Sequence, residues 1–432
     1  MSVQKITVPL ERSTTQPVEL TTIVESGLCM GCGLCSSLAN GAIEMVMTKE
    51  GRLRPVAKQI LDDEFVSKLN EVCPGIVVRS TEPTLIPAAA EDDEIWGPAA
   101  ELAIGYAKDP TVRFQATSGG VLTALSQFLL ETGQVNFILH VGASTTSPVR
   151  SEARLSFDAA AVLEGAGARY CPVAPLLDFD SVLARGEPFA LVGKPCDIAA
   201  ARNLATIDAR VDEHMVYALT FLCGGSSDLT KSESALQQFG LAEEDVAAFR
   251  YRGFGSPGNT CVVSQDGSEY QLTYKEMWED ESGWMIQPRC KICPDPLGHG
   301  ADIVAGDVWP GGSPVDDEGF NGIIVRTTRG QRLFNDAVAA GVLQIDRPMT
   351  FQDLDDFQPH QVLKRRSVWA RYVGMRAAGM TVPRTIGLRL TDLARTNGFK
   401  SNMSEARGAR RRASIGRLGE PPAQPAAKPG DG

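Results

Sequence analysis

The sequence lacks the motifs that mark hydrolases and nucleotide-dependent enzymes. It contains no P-loop, and no G-x-G-x-x-G run links a predicted strand to a helix. Histidine occurs only four times, at His140, His214, His299 and His360. No Ser-His-Asp arrangement is recognisable, so nucleophilic hydrolysis has no visible basis in this chain.

Long apolar runs and an excess of basic residues are also missing. No run reaches about 18 apolar residues, the length that a membrane span requires. Residues 1–20 mix charged residues with threonine and proline and lack the apolar core of a secretory signal. These features predict a cytoplasmic protein without a membrane span. The formal net charge of -11 at pH 7 argues against a general nucleic-acid binder.

Cysteine, in contrast, is abundant, and eight of the ten cysteines form two groups of four. The first cysteine group has the spacing C-x2-C-x2-C followed by a distant Cys-Pro: Cys29, Cys32, Cys35 and Cys73. The second cysteine group is spread along the main body: Cys196, Cys223, Cys290 and Cys293. Because cytoplasmic thiols stay reduced, these residues are expected to be metal ligands or redox groups more often than disulfides.

The first cysteine group is typical of a 4Fe-4S site. Three thiolates on a tight, glycine-rich loop can reach three irons of a cubane cluster, and a more distant cysteine reaches the fourth iron. A bacterial ferredoxin run has its last cysteine close behind the third and followed by proline. Here residues 36–40 contain no cysteine, and Cys73 with Pro74 supplies the fourth ligand instead. Zinc and inert buried cysteines are the alternatives, although a third cysteine at x2 spacing fits tetrahedral zinc poorly.

The second cysteine group depends more on its context. Cys196 follows the apolar run 189–192, and Cys223 ends the apolar run 216–222. Each therefore lies where a strand ends and a loop opens, which is where open α/β sheets place their sites.

A loop pair between two prolines completes this group, at Cys290 and Cys293. The four residues predict a second 4Fe-4S cluster, with zinc or no shared site as alternatives. The two remaining cysteines, Cys171 and Cys261, are interpreted as ordinary thiols.

The chain of 432 residues is long enough for more than one domain. Residues 1–80 are predicted to form a small ferredoxin-like 4Fe-4S module. Residues 81–100 contain three prolines and an acidic run and are predicted to be an exposed linker. Residues 101–399 form the predicted core. Residues 400–432 lose apolar periodicity and are predicted to be a disordered basic tail.

The core shows the alternation of strands and helices that is typical of mixed α/β layers. The predicted strands are residues 102–106, 137–141, 189–192, 216–222, 303–305 and 323–327. The predicted helices are residues 119–132, 158–165, 197–205, 329–340 and 360–380. The β-rich runs around Asp266 and Gly267, within residues 248–274, predict a hairpin.

Several motifs occur together and in order: TSGGVLTAL from Thr117, GARY from Gly167, VGKPCDIAA from Val192, FLCGG from Phe221, CKICPD from Cys290 and ADIVAGDVW from Ala301. With the N-terminal cysteines, this combination resembles the coenzyme F420 hydrogenase/dehydrogenase beta subunit family over roughly residues 25–380. The resemblance implies a core that binds FAD and iron–sulfur clusters and relays electrons between one-electron and two-electron partners. The long gap before Cys73 and the basic tail depart from the simplest members.

A flavin is chemically consistent with two clusters, because it can accept single electrons and deliver a pair. The resemblance implies a set of cofactor-binding residues: Ser118, Gly119, Gly120, Arg169 and Lys194. Residues 118–120 precede a helix and could offer backbone N–H groups to a phosphate, or Ser118 could simply cap that helix. Lys194 could face an anionic flavin or only solvent.

The candidate catalytic residues are Lys194, His299 and Asp307. Asp307 belongs to the DVW motif and could lie near the redox site or only cap a loop, like Asp302. His299 lies near the cysteine pair in sequence and could donate a proton during reduction, although a loop histidine is more often only solvated.

These observations predict an iron–sulfur flavoprotein oxidoreductase with two 4Fe-4S clusters and FAD. Its partners would be a ferredoxin-like or deazaflavin electron carrier and an organic substrate. The alternative is an electron-transfer beta subunit without its own substrate, bound to a partner hydrogenase or dehydrogenase subunit. A zinc-organised interaction protein is a third hypothesis, and a homo-oligomer is compatible with each. We expect the second cysteine group to lie beside the flavin and the first to lie nearer the outside.

Overall fold

The computed structural model describes residues 17–279 and 285–426. These residues form seventeen strands, most of them short: β1 Ile43–Met47, β2 Leu53–Ala57, β3 Val77–Arg79, β4 Glu91–Asp93, β5 Gly97–Ala99, β6 Glu101–Ala107, β7 Phe137–Ala143, β8 Ser151–Ser156, β9 Phe189–Val192, β10 Met215–Phe221, β11 Val246–Arg250, β12 Thr260–Ser264, β13 Glu269–Leu272, β14 Ile303–Asp307, β15 Asn321–Val325, β16 Leu343–Pro348 and β17 Arg384–Ile386.

Helices connect the strands and cover the sheet: α1 Leu20–Glu25, α2 Leu34–Leu38, α3 Asp63–Val72, α4 Pro110–Gln115, α5 Val121–Glu131, α6 Ala159–Glu164, α7 Phe179–Ala184, α8 Pro195–Ala205, α9 Arg210–His214, α10 Leu229–Phe239, α11 Tyr274–Trp278, α12 Pro288–Lys291, α13 Thr328–Ala339, α14 Phe351–Phe357, α15 Pro359–Arg376, α16 Leu390–Thr396 and α17 Phe399–Ser414. Three short 3₁₀ helices lie at Pro83–Leu85, Glu243–Asp245 and Pro310–Gly312. Within the described residues, no helix combines the length and the apolar character needed to cross a bilayer.

An eight-stranded sheet forms the centre of the fold, in the order β16-β6-β15-β14-β10-β9-β7-β8. The inner strands β14, β10, β9 and β7 are parallel to one another, and antiparallel strands flank them on both sides. Strand β9 is almost wholly apolar and its first three residues are buried, as expected of a parallel strand covered on both faces. Because parallel strands end at the same edge, the loops after β9, β10 and β14 meet there.

The mixed α/β core predicted from the sequence is confirmed. Strand β9 has the predicted bounds, and the other predicted strands and helices of the core differ from the observed ones by a few residues at their ends. The predicted hairpin is the β12–β13 pair, which belongs to a separate three-stranded antiparallel sheet with β11. The run 253–258 has G-x-G-x-x-G spacing, but it joins β11 to β12 and precedes no helix.

Residues 17–80 pack onto the body of the protein. Strand β3 pairs in parallel with β17, which lies about three hundred residues later in the chain. The buried side chains of Leu28 and Leu34 belong to the same core cluster as Phe179. Their ferredoxin-like character stays a prediction, and residues 1–16 lie outside the described part.

The predicted exposed linker at residues 81–100 needs correction at its C-terminal end. Trp96 is fully buried, and its indole N–H donates to the Asp355 carboxylate at 2.8 Å. The backbone oxygen of Trp96 accepts a hydrogen bond from Arg326. A large apolar ring following the acidic run fixes this segment against the core, an effect that proline and charge content alone do not reveal.

The predicted disordered tail is wrong for residues 400–426, and residues 427–432 lie outside the described residues. Helix α17 packs against α15 through the small residue Ala409, which is fully buried. Gly374 of α15 permits this close approach, because a Cβ there would collide with the backbone oxygen of Ala406. Small residues at a close helix crossing leave little apolar periodicity in the sequence, which explains why the pattern looked disordered.

Candidate functional site

A cavity of about 310 Å³ opens at the sheet edge where β9, β10 and β14 end. We call it the main cavity. Its wall includes residues that directly follow these strands, among them Lys194 and Cys223, and Asp307 at the end of β14. The N-terminus of α5 and the loop before it form another side. The volume is at the lower end of the range typical of small-molecule and cofactor sites.

The loop before α5 presents backbone groups to the main cavity. Ser118 and Gly120 both have positive φ angles, of 57° and 73°. The Ser118 hydroxyl donates to the Asp307 carboxylate, so it does not cap α5, and the alternative that Ser118 is a plain N-cap is wrong. The first N–H groups of a helix have no partners within the helix. Leu122 and Thr123 of this first turn line the cavity.

Arg252 and Asp307 form a buried ion pair on the cavity wall. Two guanidinium nitrogens of Arg252 donate to the two carboxylate oxygens of Asp307, at 3.1 and 2.9 Å. The guanidinium also lies 5.3 Å from the ring centre of Tyr274 and 5.1 Å from that of Trp309. Burial disfavours the charge of Arg252, but the Asp307 carboxylate raises its pKa above the usual value. The Nε of Arg252 also donates to the backbone oxygen of Pro257 at 2.8 Å. The cavity wall therefore carries a fixed ion pair whose guanidinium lies between aromatic rings.

Lys194 lines the cavity just after the end of β9. Its ammonium group lies 2.8 Å from the carboxylate of Asp197, which is fully buried in the first turn of α8. Burial opposes the charge of Lys194, while Asp197 raises its pKa above the usual value. Asp197 also accepts a hydrogen bond from the Lys194 backbone N–H at 3.0 Å. The predicted Lys194 is thus beside the cavity and held in place by a buried partner.

Two of the other predicted residues have mainly structural surroundings. A Cβ on Gly119 would meet the Asn321 side chain and the Gly105 backbone oxygen at 2.9 Å, so glycine lets the loop lie tightly against the sheet. Arg169 lines the cavity, but its guanidinium donates to Ser151 Oγ and to four backbone oxygens. We therefore do not assign Arg169 as an anion ligand.

His299 does not line the main cavity. Its ring is buried, and Nδ1 lies 2.7 Å from the Asp295 carboxylate. Burial lowers the pKa of His299 to about 4 despite that carboxylate, so the ring is neutral near pH 7. His299 does not contact the main cavity, so its predicted role as a proton donor stays a prediction. Asp302 is likewise buried away from the cavity, paired with Arg202 and Arg329.

The first cysteine group lines a small separate cavity of about 30 Å³, together with Gly31 and Gly33. Its four sulfur atoms are free thiols: Cys29, Cys32, Cys35 and Cys73. Both glycines have positive φ angles, of 69° and 88°, which lets the loop carrying three of the cysteines turn tightly. Burial raises the pKa of Cys73 to about 12, and Cys29 adds to this effect. All four cysteines thus lie around one small cavity, as the ligands of a single cluster must.

The second cysteine group also comes together from distant parts of the chain. Cys196 lies in the first turn of α8, Cys223 follows β10, and the pair Cys290 and Cys293 lies in and after α12. Burial, together with the nearby Cys290 and Cys293, raises the pKa of Cys223 to about 12. Burial and Asp197 raise the pKa of Cys196, with smaller contributions from Cys223 and Cys293. These four thiols are free and close enough to interact electrostatically.

Cys223 connects the second group with the main cavity, because it also lines that cavity. The second group therefore lies beside the main cavity, while its predicted position beside a flavin stays a prediction. Within the described ranges, no three His, Cys, Asp or Glu side chains are arranged to hold a single metal ion.

Two family models match the chain. Residues 102–179 match the N-terminal part of the coenzyme F420 hydrogenase/dehydrogenase beta subunit, and residues 186–350 match its C-terminal part. The matched regions cover more than half of the chain. The chain belongs to this family. Within the F420 hydrogenase/dehydrogenase beta subunit regions lie the loop at Ser118 and the second cysteine group, whereas the first cysteine group lies outside both.

Curated relatives carry matching names. The chain is 25% identical over 245 residues to the beta subunit of F420-dependent formate dehydrogenase 1 from Methanococcus maripaludis, covering 56% of this chain and 60% of the relative. It is 26% identical over 339 residues to the coenzyme F420-dependent sulfite reductase of Methanocaldococcus jannaschii, covering 73% and 47%. It is 25% identical over 263 residues to the coenzyme F420 hydrogenase beta subunit of Methanococcus voltae, covering 59% and 84%. The chain thus spans less than two thirds of the first two relatives.

A solved structure of the F420-reducing [NiFe] hydrogenase complex from Methanosarcina barkeri also resembles the chain. The TM-score is 0.49 at 19% identity, over 65% of this chain and 96% of that one. A likeness this distant supports no conclusion about the site. The homologues nevertheless show that this family member is related to components of oxidoreductase complexes that transfer electrons.

The sequence patterns do not reveal those site residues whose hydrogen-bond partners lie far away in the chain. Arg252 follows β11 and meets Asp307 across 55 positions, and no local pattern signals that pairing. Asn321 accepts a hydrogen bond from the backbone N–H of Val121 at 3.2 Å, and therefore orders the start of α5. Trp309 was visible only as the last residue of the DVW motif.

Proposed function

We propose that this chain is an iron–sulfur flavoprotein that transfers electrons between a one-electron carrier and a two-electron partner. The observation that carries the proposal is the position of Cys223, which belongs to the second cysteine group and also lines the main cavity. A ligand in that cavity would lie beside that group. The family membership supports an oxidoreductase role of this kind.

The cysteine groups fit iron–sulfur clusters by the chemistry of their donors. Each group offers four free thiols, and burial raises the pKa of Cys35 in the first group and of Cys196 in the second. Binding of a cationic cluster would therefore release protons and stabilise thiolates. Cations lie close to both groups. Arg54 lowers the pKa of Cys29, and Lys194 lowers that of Cys196, in each case against the larger effect of burial. A cubane would spread its four ligands around a body larger than one ion.

The main cavity fits a flavin with a phosphate group. The Val121 N–H at the start of α5 already donates to Asn321, so the N–H groups of Leu122 and Thr123 in the same turn would donate to the phosphate. Arg252 would hold an anionic group, and the rings of Tyr274 and Trp309 beside it offer flat apolar surface. When bound, the clusters would carry single electrons and FAD would convert between single electrons and pairs. Lys194 would supply a second positive charge. Asp307 would hold Ser118 and Arg252 in place through the hydrogen bonds that it accepts from both.

Several relatives are named as beta subunits of F420-dependent hydrogenases or formate dehydrogenases. This naming favours the proposal that the chain exchanges electrons with a deazaflavin carrier while it is bound to a hydrogenase or dehydrogenase subunit. A ferredoxin-like protein is the alternative carrier, and an organic substrate is the alternative two-electron partner. The match covers only 60% and 47% of two of the curated relatives, so the partner subunit is proposed for this chain and not taken over from them.

Replacing Arg252 with glutamine should weaken FAD binding by about tenfold to a hundredfold, since hydrogen bonds to charged groups contribute about 1.5–3 kcal/mol. The substitution removes the cavity cation and leaves Asp307 as an unpaired negative charge. The measurement is a titration of flavin-free protein with FAD, followed by flavin fluorescence. R252K should recover part of the affinity.

The matched control is R395Q, which removes an arginine from an exposed ion pair with Asp392. Its affinity for FAD should equal that of the unaltered protein. Equal affinity of R252Q and the unaltered protein would remove Arg252 from the proposed flavin site, and failure of the unaltered protein to bind FAD would remove the flavin.

A further inference from the structure

Arg289 lies between the two cysteine groups. It immediately precedes Cys290 in α12, and its side chain is only 3% exposed. One terminal nitrogen, Nη2, donates to the backbone oxygen of Pro74, the residue after Cys73, at 3.2 Å. The other, Nη1, donates to the backbone oxygen of Ile292, the residue before Cys293, at 3.3 Å. One guanidinium thus joins the backbone of the first group to that of the second.

The third nitrogen of this guanidinium has no partner. Nε of Arg289 is buried and makes no hydrogen bond within the described residues. A buried N–H without an acceptor costs about 1–3 kcal/mol, so such groups are usually satisfied in the functional protein. Burial disfavours the charge of Arg289, and Tyr372, Cys293, Cys196 and Cys290 favour it, while Arg289 in turn lowers the pKa of Cys73. Cysteine sulfur therefore lies near this guanidinium on both sides, and it is the acceptor that we expect for Nε when both groups are occupied.

We propose that Arg289 is a positioning residue for electron transfer between two iron–sulfur clusters. It holds the two clusters at a fixed separation. It also supplies a buried positive charge and an N–H donor for sulfur. This inference rests on the proposed function and extends it to the step between the clusters. In that step one electron moves, one cluster is oxidised, the other is reduced, and no proton or bond is exchanged.

The charge of Arg289 would raise the reduction potential of the cluster nearer to it more than that of the other, and would thereby change the driving force of that step. A reduced cluster carries one more negative charge than an oxidised one, so a nearby buried cation stabilises the reduced form and raises its reduction potential. A hydrogen bond to sulfur acts in the same direction. The planar guanidinium can bind both backbone oxygens at once, whereas a lysine ammonium has no such rigid fork.

The test is an anaerobic redox titration of the clusters, followed by electron paramagnetic resonance, in the unaltered protein and in R289Q. In R289Q at least one cluster should become harder to reduce by about tenfold in its equilibrium constant, which is about 59 mV for a one-electron couple. Unchanged potentials in an R289Q protein that keeps all its iron would overturn the proposal.

Arg326 offers a matched control. It is also a fully buried arginine, and its guanidinium donates only to backbone oxygens, those of Trp96, Pro98, Leu297 and Gly298. Neither cysteine group contributes to its electrostatic surroundings. R326Q should lower stability as a buried substitution does but should leave both potentials unchanged. A shift of equal size in R326Q would attribute the effect to general loosening of the fold and contradict the role of Arg289.

A second measurement applies if R289Q does not fold. Protein labelled with ¹⁵N-arginine should show a weak coupling of a guanidinium nitrogen to the reduced cluster in pulsed electron paramagnetic resonance. The coupling should weaken in R289K, which keeps the charge. An undiminished coupling in R289K would exclude Arg289 as the donor. Absence of iron from the unaltered protein would instead contradict the proposed function itself, so the two failures are distinguishable.

Discussion

Replacing Cys290 with alanine should remove about half of the iron bound per chain, because it takes one of four ligands from one of two proposed clusters. Cys290 is buried, and its sulfur accepts a hydrogen bond from the backbone N–H of Ser226 at 3.2 Å. No other cysteine of the described residues is assigned to replace it. The first cysteine group lines a separate cavity and should keep its cluster. Iron and sulfide analysis with electron paramagnetic resonance measures the outcome.

The control for this substitution is C261A. Cys261 is a similarly buried thiol, but it lies in β12 of the three-stranded sheet. C261A should retain the full iron content of the unaltered protein. Full iron in C290A would remove Cys290 from the ligand set, and equal loss in both variants would show that iron reports only on folding.

Removing the side chain of Glu420 should destabilise the protein by about 3–5 kcal/mol, the usual cost of leaving a buried charge without its partner. Glu420 lies in the segment that was predicted to be disordered. Both of its carboxylate oxygens accept hydrogen bonds from Arg54 at 2.8 Å, and the side chains of the pair are 3% and 0% exposed. After E420A, Arg54 would keep Gln287 and a backbone oxygen but lose its counter-ion. Anaerobic denaturant unfolding measures the change.

The same substitution should speed iron loss from the first cysteine group. Burial raises the pKa of Cys29, Arg54 lowers it, and Glu420 itself adds a smaller raising effect. The expected loss of iron therefore comes from the release of Arg54 and of the C-terminal segment that Glu420 holds, against that smaller direct effect. The chain around Glu420 also closes over this region, since Leu418 is buried and the Glu420 N–H donates to the Glu25 backbone oxygen. Iron transfer to a chelator should therefore be faster in E420A than in the unaltered protein.

A double variant and an exposed pair provide the controls. R54M/E420A removes both charges and should recover part of the lost stability, because no unpaired buried charge is left. D392A breaks the exposed pair with Arg395 and should cost no more than about 1 kcal/mol. A cost for E420A as small as that for D392A would show that the C-terminal segment does not hold the first cysteine group in place.

The sequence was informative where local pattern and burial agree. Strand β9 is apolar along its whole length because both faces of a central parallel strand are covered, so its bounds could be predicted to the residue. The spacing of Cys29, Cys32 and Cys35 is local, and the structure places these residues on one cavity with Cys73.

Prediction failed where the deciding contacts are distant in sequence. Residues 400–426 are held in place by a close crossing at Gly374 and by the ion pair of Glu420 with Arg54, and neither produces an apolar repeat. Arg252 was overlooked because only the folded chain brings it to Asp307. His299 was placed by its nearness in sequence to Cys293, yet its ring is buried against Asp295 away from the main cavity.

The central claim is that this member of the family binds two iron–sulfur clusters and a flavin. The most direct test is to purify the full chain anaerobically and to quantify iron, acid-labile sulfide, zinc and flavin per chain. We expect about eight iron atoms, a similar amount of sulfide and about one FAD per chain, with negligible zinc. Zinc without iron and without flavin would contradict it.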